Sequence, residues 1–431
     1  MAFTVNPVTV GRIQKAWNNL SEEQKAQIQP FVTEAHQQTV AMLQDSRKLP
    51  DDKTPHSLSM LHSILSNDAD KILEKISTGL KPSVASDGTL VGIGKFESHD
   101  PGWLEAAAVW LENIPKPKTL FNTAPATIRI PNTVRIALAG DWGTGNWRPP
   151  SNQSPALRVS AHMTPLNPDI TIHLGDVYSS GTSDEEQHLL VDLWPKGKIG
   201  ALALNSNHEM YSASEPYFNL ALRSSLFHLQ QGCSYFALEN DHWVIVGLDS
   251  AYFSDESKLY MNGSLGNNGQ QIDFLKEQVA KKKPVIVLTH HNGLLQDGSG
   301  PEKPAGKDAP LWDQVLSAFP QGGGPRYWYW AHIHAAITYA PQGPSQINCR
   351  CAGHAAVPQG SPAQLLKNKS NVTWFESRPA NDPLIPQRVL NGFAMLTLDG
   401  DHIHEEFYDE NGEIPWQQQS ETKVISREDG S

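Results

Sequence analysis

Five apolar runs in this chain each stop at side chains that can bind a cation, and that recurrence limits the fold more than any other feature. Val134, Ile136 and Leu138 alternate and stop at Gly140-Asp141. Ile170, Ile172 and Leu174 alternate and stop at Gly175-Asp176. The run from Ile199 to Leu204 stops at Asn205-Ser206-Asn207-His208-Glu209. Val285 to Leu288 stops at Thr289-His290-His291, and Tyr327 to Trp330 stops at Ala331-His332-Ile333-His334. Short apolar runs of this kind, alternating or continuous, read as strands. Helix-like stretches such as Asp273 to Lys283 lie between them, so the chain beyond residue 125 predicts an α/β sheet. In open α/β sheets the ligand crevice lies at the carboxyl ends of the strands. A single Gly-Asp is an ordinary turn, but five polar strand ends in one order predict a site.

Taken together, Gly140-Asp141-Trp142-Gly143, Gly175-Asp176, Asn207-His208-Glu209, His290 and His332-Ile333-His334 resemble the five blocks of the calcineurin-like metallophosphoesterase family. The resemblance covers about residues 130 to 410. It implies a four-layer α/β/β/α sandwich of two mixed sheets with helices outside, and a centre for two divalent or trivalent ions, of Mn, Fe or Zn type. By position it implies that Asp176 bridges the ions, that Asp141 and His334 hold the first, and that Asn207, His290 and His332 hold the second. His208 would face the phosphate and protonate the leaving oxygen. The implied reaction is hydrolysis of a phosphomonoester or phosphodiester by in-line attack of a metal-bridging hydroxide. Carboxylate and imidazole suit such ions, and paired ions clamp the attacking and leaving oxygens.

The first block departs from the commonest pattern. Many members carry Asp-x-His there, whereas this chain has Gly143. The purple acid phosphatase branch shares Asp-x-Gly and compensates with a Tyr three residues after the bridging Asp; that position here is Ser179. Tyr178 comes one residue early, and strand alternation would turn its side chain elsewhere. Water, Ser179 or Asn146 is then expected to complete the first ion's shell, or that ion is expected to bind weakly. Ser206 and Ala331 replace glycines in the third and fifth blocks. Arg148 is a candidate phosphate contact, and His291 and His354 are candidate neighbours of the phosphate pocket.

Residues 1–118 read differently. Ser21 and Gln24 form a capping box, and Pro30 interrupts the pattern that follows. A second helix is expected across Leu58 to Ile76 and a third across Gly102 to Asn113, with Trp17, Trp103 and Trp110 in their core. Pro115 to Lys118 reads as a linker. The division expected is a helical domain over 1–118, a catalytic domain over 119–412 and a flexible tail over 413–431. The chain of 431 residues carries a formal charge of −12. That balance argues against long nucleic acid and for a small phosphoester as substrate. Three cysteines cannot make a disulfide scaffold, and no run is apolar enough for a membrane span. With no secretory leader at the N-terminus, the expectation is a cytoplasmic protein that does not bind membranes. A homo-oligomer through the helical domain is a further expectation. The alternative to turnover is a degenerate member that binds a ligand or partner through that domain.

Overall fold

The computed structural model describes residues 6–44, 57–66, 76, 80–149, 152–267, 269–302, 310–367 and 371–421. Hydrophobic alternation decides its layering. In Thr133–Ala139 (β4), Ile136 and Leu138 face one core while Ala137 and Ala139 face another, as the period-two geometry of a strand requires. β4 pairs in parallel with Ile170–His173 (β5), which pairs in parallel with Gly200–Ala203 (β6). On the other side of β4 lie Gly392–Asp399 (β14), His402–Asp409 (β15) and Trp416–Glu421 (β16), all antiparallel, giving a mixed six-stranded sheet.

A second, eight-stranded sheet has Val285–Leu288 (β9) and Tyr327–Trp330 (β10) at its middle. Around them run Thr127–Arg129 (β3), Phe236–Glu239 (β7), Val244–Gly247 (β8), Ala336–Tyr339 (β11), Asn348–Ala352 (β12) and Val372–Phe375 (β13). Ile136, Leu138 and Ile172 of one sheet pack against Ile245, Leu288 and Tyr329 of the other. Phe274 and Val315 cover the outer face of the larger sheet, and Val159 and Met163 that of the smaller. The result is the four-layer α/β/β/α sandwich expected, with two mixed sheets.

The N-terminal region is mostly helical: Pro7–Asn19 (α1), Glu22–Gln44 (α2), Ser57–Leu65 (α3) and Gly102–Asn113 (α4), with a small hairpin of Ser83–Val84 (β1) and Leu90–Val91 (β2). Ser21 Oγ accepts from the Gln24 N–H at 3.2 Å, and Gln24 Oε1 accepts from the Ser21 N–H at 2.9 Å, so the capping box forms. Pro30 does not end the helix. Both Pro30 and Ala26, whose carbonyl loses its intrahelical donor, are exposed, where solvent can replace that donor. Of the second expected helix, residues 67–75 lie outside the described residues.

Two boundaries differ from expectation. Among the described residues, the apolar side chains of the N-terminal helices join a core shared with the sandwich. Ile13, Val32, Leu61, Leu104 and Trp110 share one apolar cluster with Met210, Tyr211, Ala251 and Tyr260 of the sandwich, and the Trp110 indole donates to the Glu256 carbonyl at 3.0 Å. Within the segment expected as a tail from 413, Trp416–Glu421 instead closes the edge of the six-stranded sheet. Its Gln-rich sequence hides the strand because an edge strand needs few apolar anchors. Trp416, against Phe407 and Trp374, is the one it uses.

Candidate metal centre

Strand register brings the polar ends together. Ala139 pairs with His173 and His173 with Ala203, so Asp141, Asp176 and Asn207 all leave the smaller sheet at one edge. In the larger sheet Leu288 pairs with Tyr329, so His290 and His332 leave alongside. The two edges are joined by backbone: the Gly140 N–H donates to the Ala352 carbonyl at 3.0 Å. A Cβ on Gly140 would sit 2.2 Å from the Ala331 Cβ, so only glycine fits where the sheets meet.

The seven residues expected at the centre are brought together in two groups that meet at Asp176. In the first, His290 Nδ1 lies 2.9 Å from the Leu174 carbonyl. A carbonyl only accepts, so Nδ1 carries the hydrogen and Nε2 a lone pair. Burial pushes the His290 pKa down to about 3, so the ring is neutral at physiological pH. That lone pair faces Asn207 Oδ1 at 2.9 Å, Asp176 Oδ1 at 3.3 Å and His332 Nδ1 at 3.2 Å. The Asn207 amide is fixed by Nδ2 donating to the Tyr211 hydroxyl at 3.1 Å. His290 Nε2 and Asn207 Oδ1 thus face each other with Asp176 Oδ1 and His332 Nδ1 alongside, an arrangement that a cation stabilises.

The second group is Asp141, Asp176, His334 and Tyr178. One ligand atom from each of Asp141, Asp176 and His334 lies within 4.8 Å of the others, and Asp141 Oδ2 is buried without a hydrogen-bond partner. Burial and the neighbouring Asp176 raise the Asp141 pKa well above the usual carboxylate range. Burial alone would raise Asp176 too, yet His208, His290 and a hydrogen bond from Ser206 hold it low. Asp141, Asp176, His332 and His334 have φ of 58°, 79°, 68° and 48°. A left-handed conformation costs a non-glycine residue roughly 1–2 kcal/mol, and such outliers gather at functional sites.

Tyr178 overturns one expectation. Its hydroxyl lies 2.5 Å from Asp176 Oδ2, 3.0 Å from His334 Nε2 and 3.4 Å from Asp141 Oδ1. β5 ends at His173, and Asp176 turns through the left-handed region, so alternation no longer governs Tyr178. Gly143 explains the vacancy it fills. A Cβ there would meet the Asp176 carbonyl oxygen at 2.6 Å and Val177 Cα at 2.7 Å, so no histidine could stand at this position.

His208 adjoins both groups. Its Nδ1 lies 2.7 Å from the Ser179 carbonyl and its Nε2 3.8 Å from Asp176 Oδ2. Ser179 therefore enters through its backbone, which also donates to Glu185, and not as an ion ligand. Asn146 is exposed and meets none of these residues. Arg148 is buried over Trp147 and paired with Asp382 at 2.6 Å, so it is spent inside the protein instead of on a phosphate. His291 lies close enough to His290 and His332 to offer a nitrogen. Both its nitrogens are engaged, however, with the Ser250 hydroxyl at 2.9 Å and the Tyr260 carbonyl at 2.7 Å, which makes it part of the wall. His354 packs on Phe407 and Gly392, away from the centre.

A cleft of about 730 Å³ opens over Asp176, Asn207, His208, His332 and His334. Its far wall comes from the N-terminal region, through Phe31, Asp87, Leu90, Phe96 and Trp103. Sequence reading missed Tyr178, Tyr211 and this wall. Tyr211 had a signal, four residues after Asn207 and so on the same helix face; Phe96 and Trp103 had none.

Residues 134–336 match the calcineurin-like phosphoesterase family. The chain carries a calcineurin-like phosphoesterase domain. All of the residues of the metal centre lie within that domain, while the wall residues Phe31 to Trp103 precede it. Among solved structures, the chain is similar to a conserved uncharacterized protein from Streptococcus pneumoniae TIGR4, described as a predicted phosphoesterase. The identity is 10% and the TM-score 0.27, over 67% of this chain and 98% of that one. A single mutant of Vps29 from Entamoeba histolytica gives 8% identity and a TM-score of 0.26 over 67% and 99% of the two chains. Vps29 from Chaetomium thermophilum gives 10% and 0.26 over 67% and 97%. No curated protein matches the chain. Among the described residues, no helix is long and apolar enough to cross a membrane.

Proposed function

We propose that this phosphoesterase domain is catalytically active as a metal-dependent hydrolase of small phosphomonoesters or phosphodiesters. The observation that carries the reading is the convergence of His290 Nε2, Asn207 Oδ1, His332 Nδ1 and Asp176 Oδ1 beside the second group at Asp141, Tyr178 and His334. Carboxylate, imidazole, amide and phenol donors fit Mn, Fe or Zn. Asn207, His290 and His332 would hold one ion, Asp141, His334 and Tyr178 another, with Asp176 between them. Ions held there supply Lewis acidity and lower the pKa of coordinated water toward about 7.

The chain's own groups do the rest. Leu174 and Tyr211 orient His290 and Asn207, as outer partners orient metal ligands. Ser206 donates to Asp176 Oδ1 and fixes the carboxylate both groups share. His208, held at Nδ1 by Ser179, keeps Nε2 as the atom that carries a proton toward the departing alcohol. Such a general acid contributes typically ~10²–10⁴-fold. The cleft leaves room for an alcohol portion of moderate size.

The test is to strip the purified protein, restore Mn, Fe or Zn, count bound ions and assay aryl phosphate mono- and diesters. Metal-dependent turnover that Asp176→Asn abolishes is the expected result. Stoichiometric ion binding with no turnover for any metal would overturn it and favour a member that binds without reacting.

A further inference from the structure

We propose that the N-terminal helical region supplies a positioning residue, Trp103, that holds His208 in line for proton delivery to the leaving alcohol. The proposal rests on the reading of His208 as the general acid.

The imidazole of His208 is confined by contacts of two kinds. Ser179 holds Nδ1, which leaves one soft motion, the swing of the ring about that bond. Three aromatic rings oppose it: Tyr178 at 4.4 Å, Tyr211 at 4.9 Å and Trp103 at 5.8 Å between centroids. Tyr178 and Tyr211 are tied to the metal centre through their hydroxyls. Trp103 alone of the three comes from outside the phosphoesterase domain, and it lines the cleft.

Trp103 is itself held. Its indole N–H donates to the Glu97 carbonyl at 2.8 Å. Phe96 packs edge-on against it at 6.1 Å and against Tyr178 at 5.6 Å. Phe96 sits at φ 64°, with its N–H bonded to Asp100 Oδ2 at 2.7 Å. Asp100 also accepts from the Gly102 N–H at 2.9 Å, at the start of α4. The segment from Phe96 to Trp103 thus holds the indole against both His208 and Tyr178. An apolar core alone would not call for a backbone outlier pinned by a carboxylate.

The test uses the full chain with restored metal and two substrates that differ in leaving group. An activated aryl phosphate departs without help, whereas an alkyl phosphate needs a proton. Trp103→Ala is expected to lower kcat on the alkyl phosphate by about 10- to 100-fold and on the aryl phosphate by less than about 3-fold, within the range a general acid commands. Trp103→Phe should recover most of the loss. In a His208→Ala background, Trp103→Ala should cost nothing further, since a residue that acts only through another shows no independent effect. Equal losses on both substrates with an unchanged melting temperature and ion count, or full additivity with His208→Ala, would overturn the proposal. Wild-type turnover of the aryl phosphate separates this outcome from failure of the phosphoesterase reading.

Discussion

At the scale of single residues, Tyr178 carries the clearest lesson. Its hydroxyl stands among Asp141, Asp176 and His334 because the backbone leaves the strand before reaching it. Tyr178→Phe keeps the ring against Phe96 and Trp103 and deletes only the hydroxyl. The expected result is weaker binding of the ion proposed beside Asp141, seen by elemental analysis as a metal content below that of the unaltered chain. An unchanged ion count would remove Tyr178 from the donor set. That Asp, Asn and His side chains gather at one edge was legible in the sequence because strand ends and residue identity announce them. Tyr178 was not, since its direction depends on the positive-φ turn at Gly175 and Asp176, which strand alternation does not describe. His354 offers a separate test. Burial lowers its pKa to about 3 and Nδ1 has no hydrogen-bond partner. The unfolded chain takes up a proton on this ring below about pH 6.5, while the folded chain resists until about 3. Stability present above pH 6.5 is therefore lost as pH falls. His354→Leu should remove about one proton from that dependence, roughly 1.4 kcal/mol per pH unit between pH 4 and 6 in urea titrations. An unchanged slope would mean that His354 is protonated in the folded chain.

At the scale of elements, the strands that carry the centre were the most readable. Their apolar runs are short, alternate or are continuous, and end abruptly, and β4, β5, β9 and β10 fall where those runs lie. The edge strand β16 was not readable, because Gln-rich sequence carries no apolar period. Nor was the continuity of α2 through Pro30, which solvent exposure permits. The contact between Gly140 and Ala331 makes a prediction about how two elements meet. Gly140→Ala forces a methyl to within 2.2 Å of another. Overpacking of this kind costs roughly 1–3 kcal/mol, and Ala331→Gly in the same chain should recover most of it. Denaturant midpoints of the two single variants and the double variant measure the coupling. Independent effects would show that the strands shift apart instead.

At the scale of the whole molecule, the sequence suggested a helical domain joined to a catalytic one, and the packing shows a shared core. Met210, Tyr211 and Tyr260 sit in one cluster with the N-terminal helices. Prolines such as those from Pro115 to Lys118 mark a break in pattern, which is not by itself a break in packing. The whole chain should therefore melt in one transition, with calorimetric and van't Hoff enthalpies equal; two resolved transitions would restore the two-domain view. The proposed donors come from both sheets: Asp141, Asp176 and Asn207 follow strands of one, His290, His332 and His334 strands of the other. An ion bound there acts as a rivet across the sandwich, and the chain can offer a complete set of ligands only when the two sheets are docked. Ion occupancy and sandwich closure are then one linked equilibrium. At a free ion concentration 100 times the dissociation constant, the folded state gains about 2.7 kcal/mol per site, so a chelator should lower the melting temperature of the entire protein.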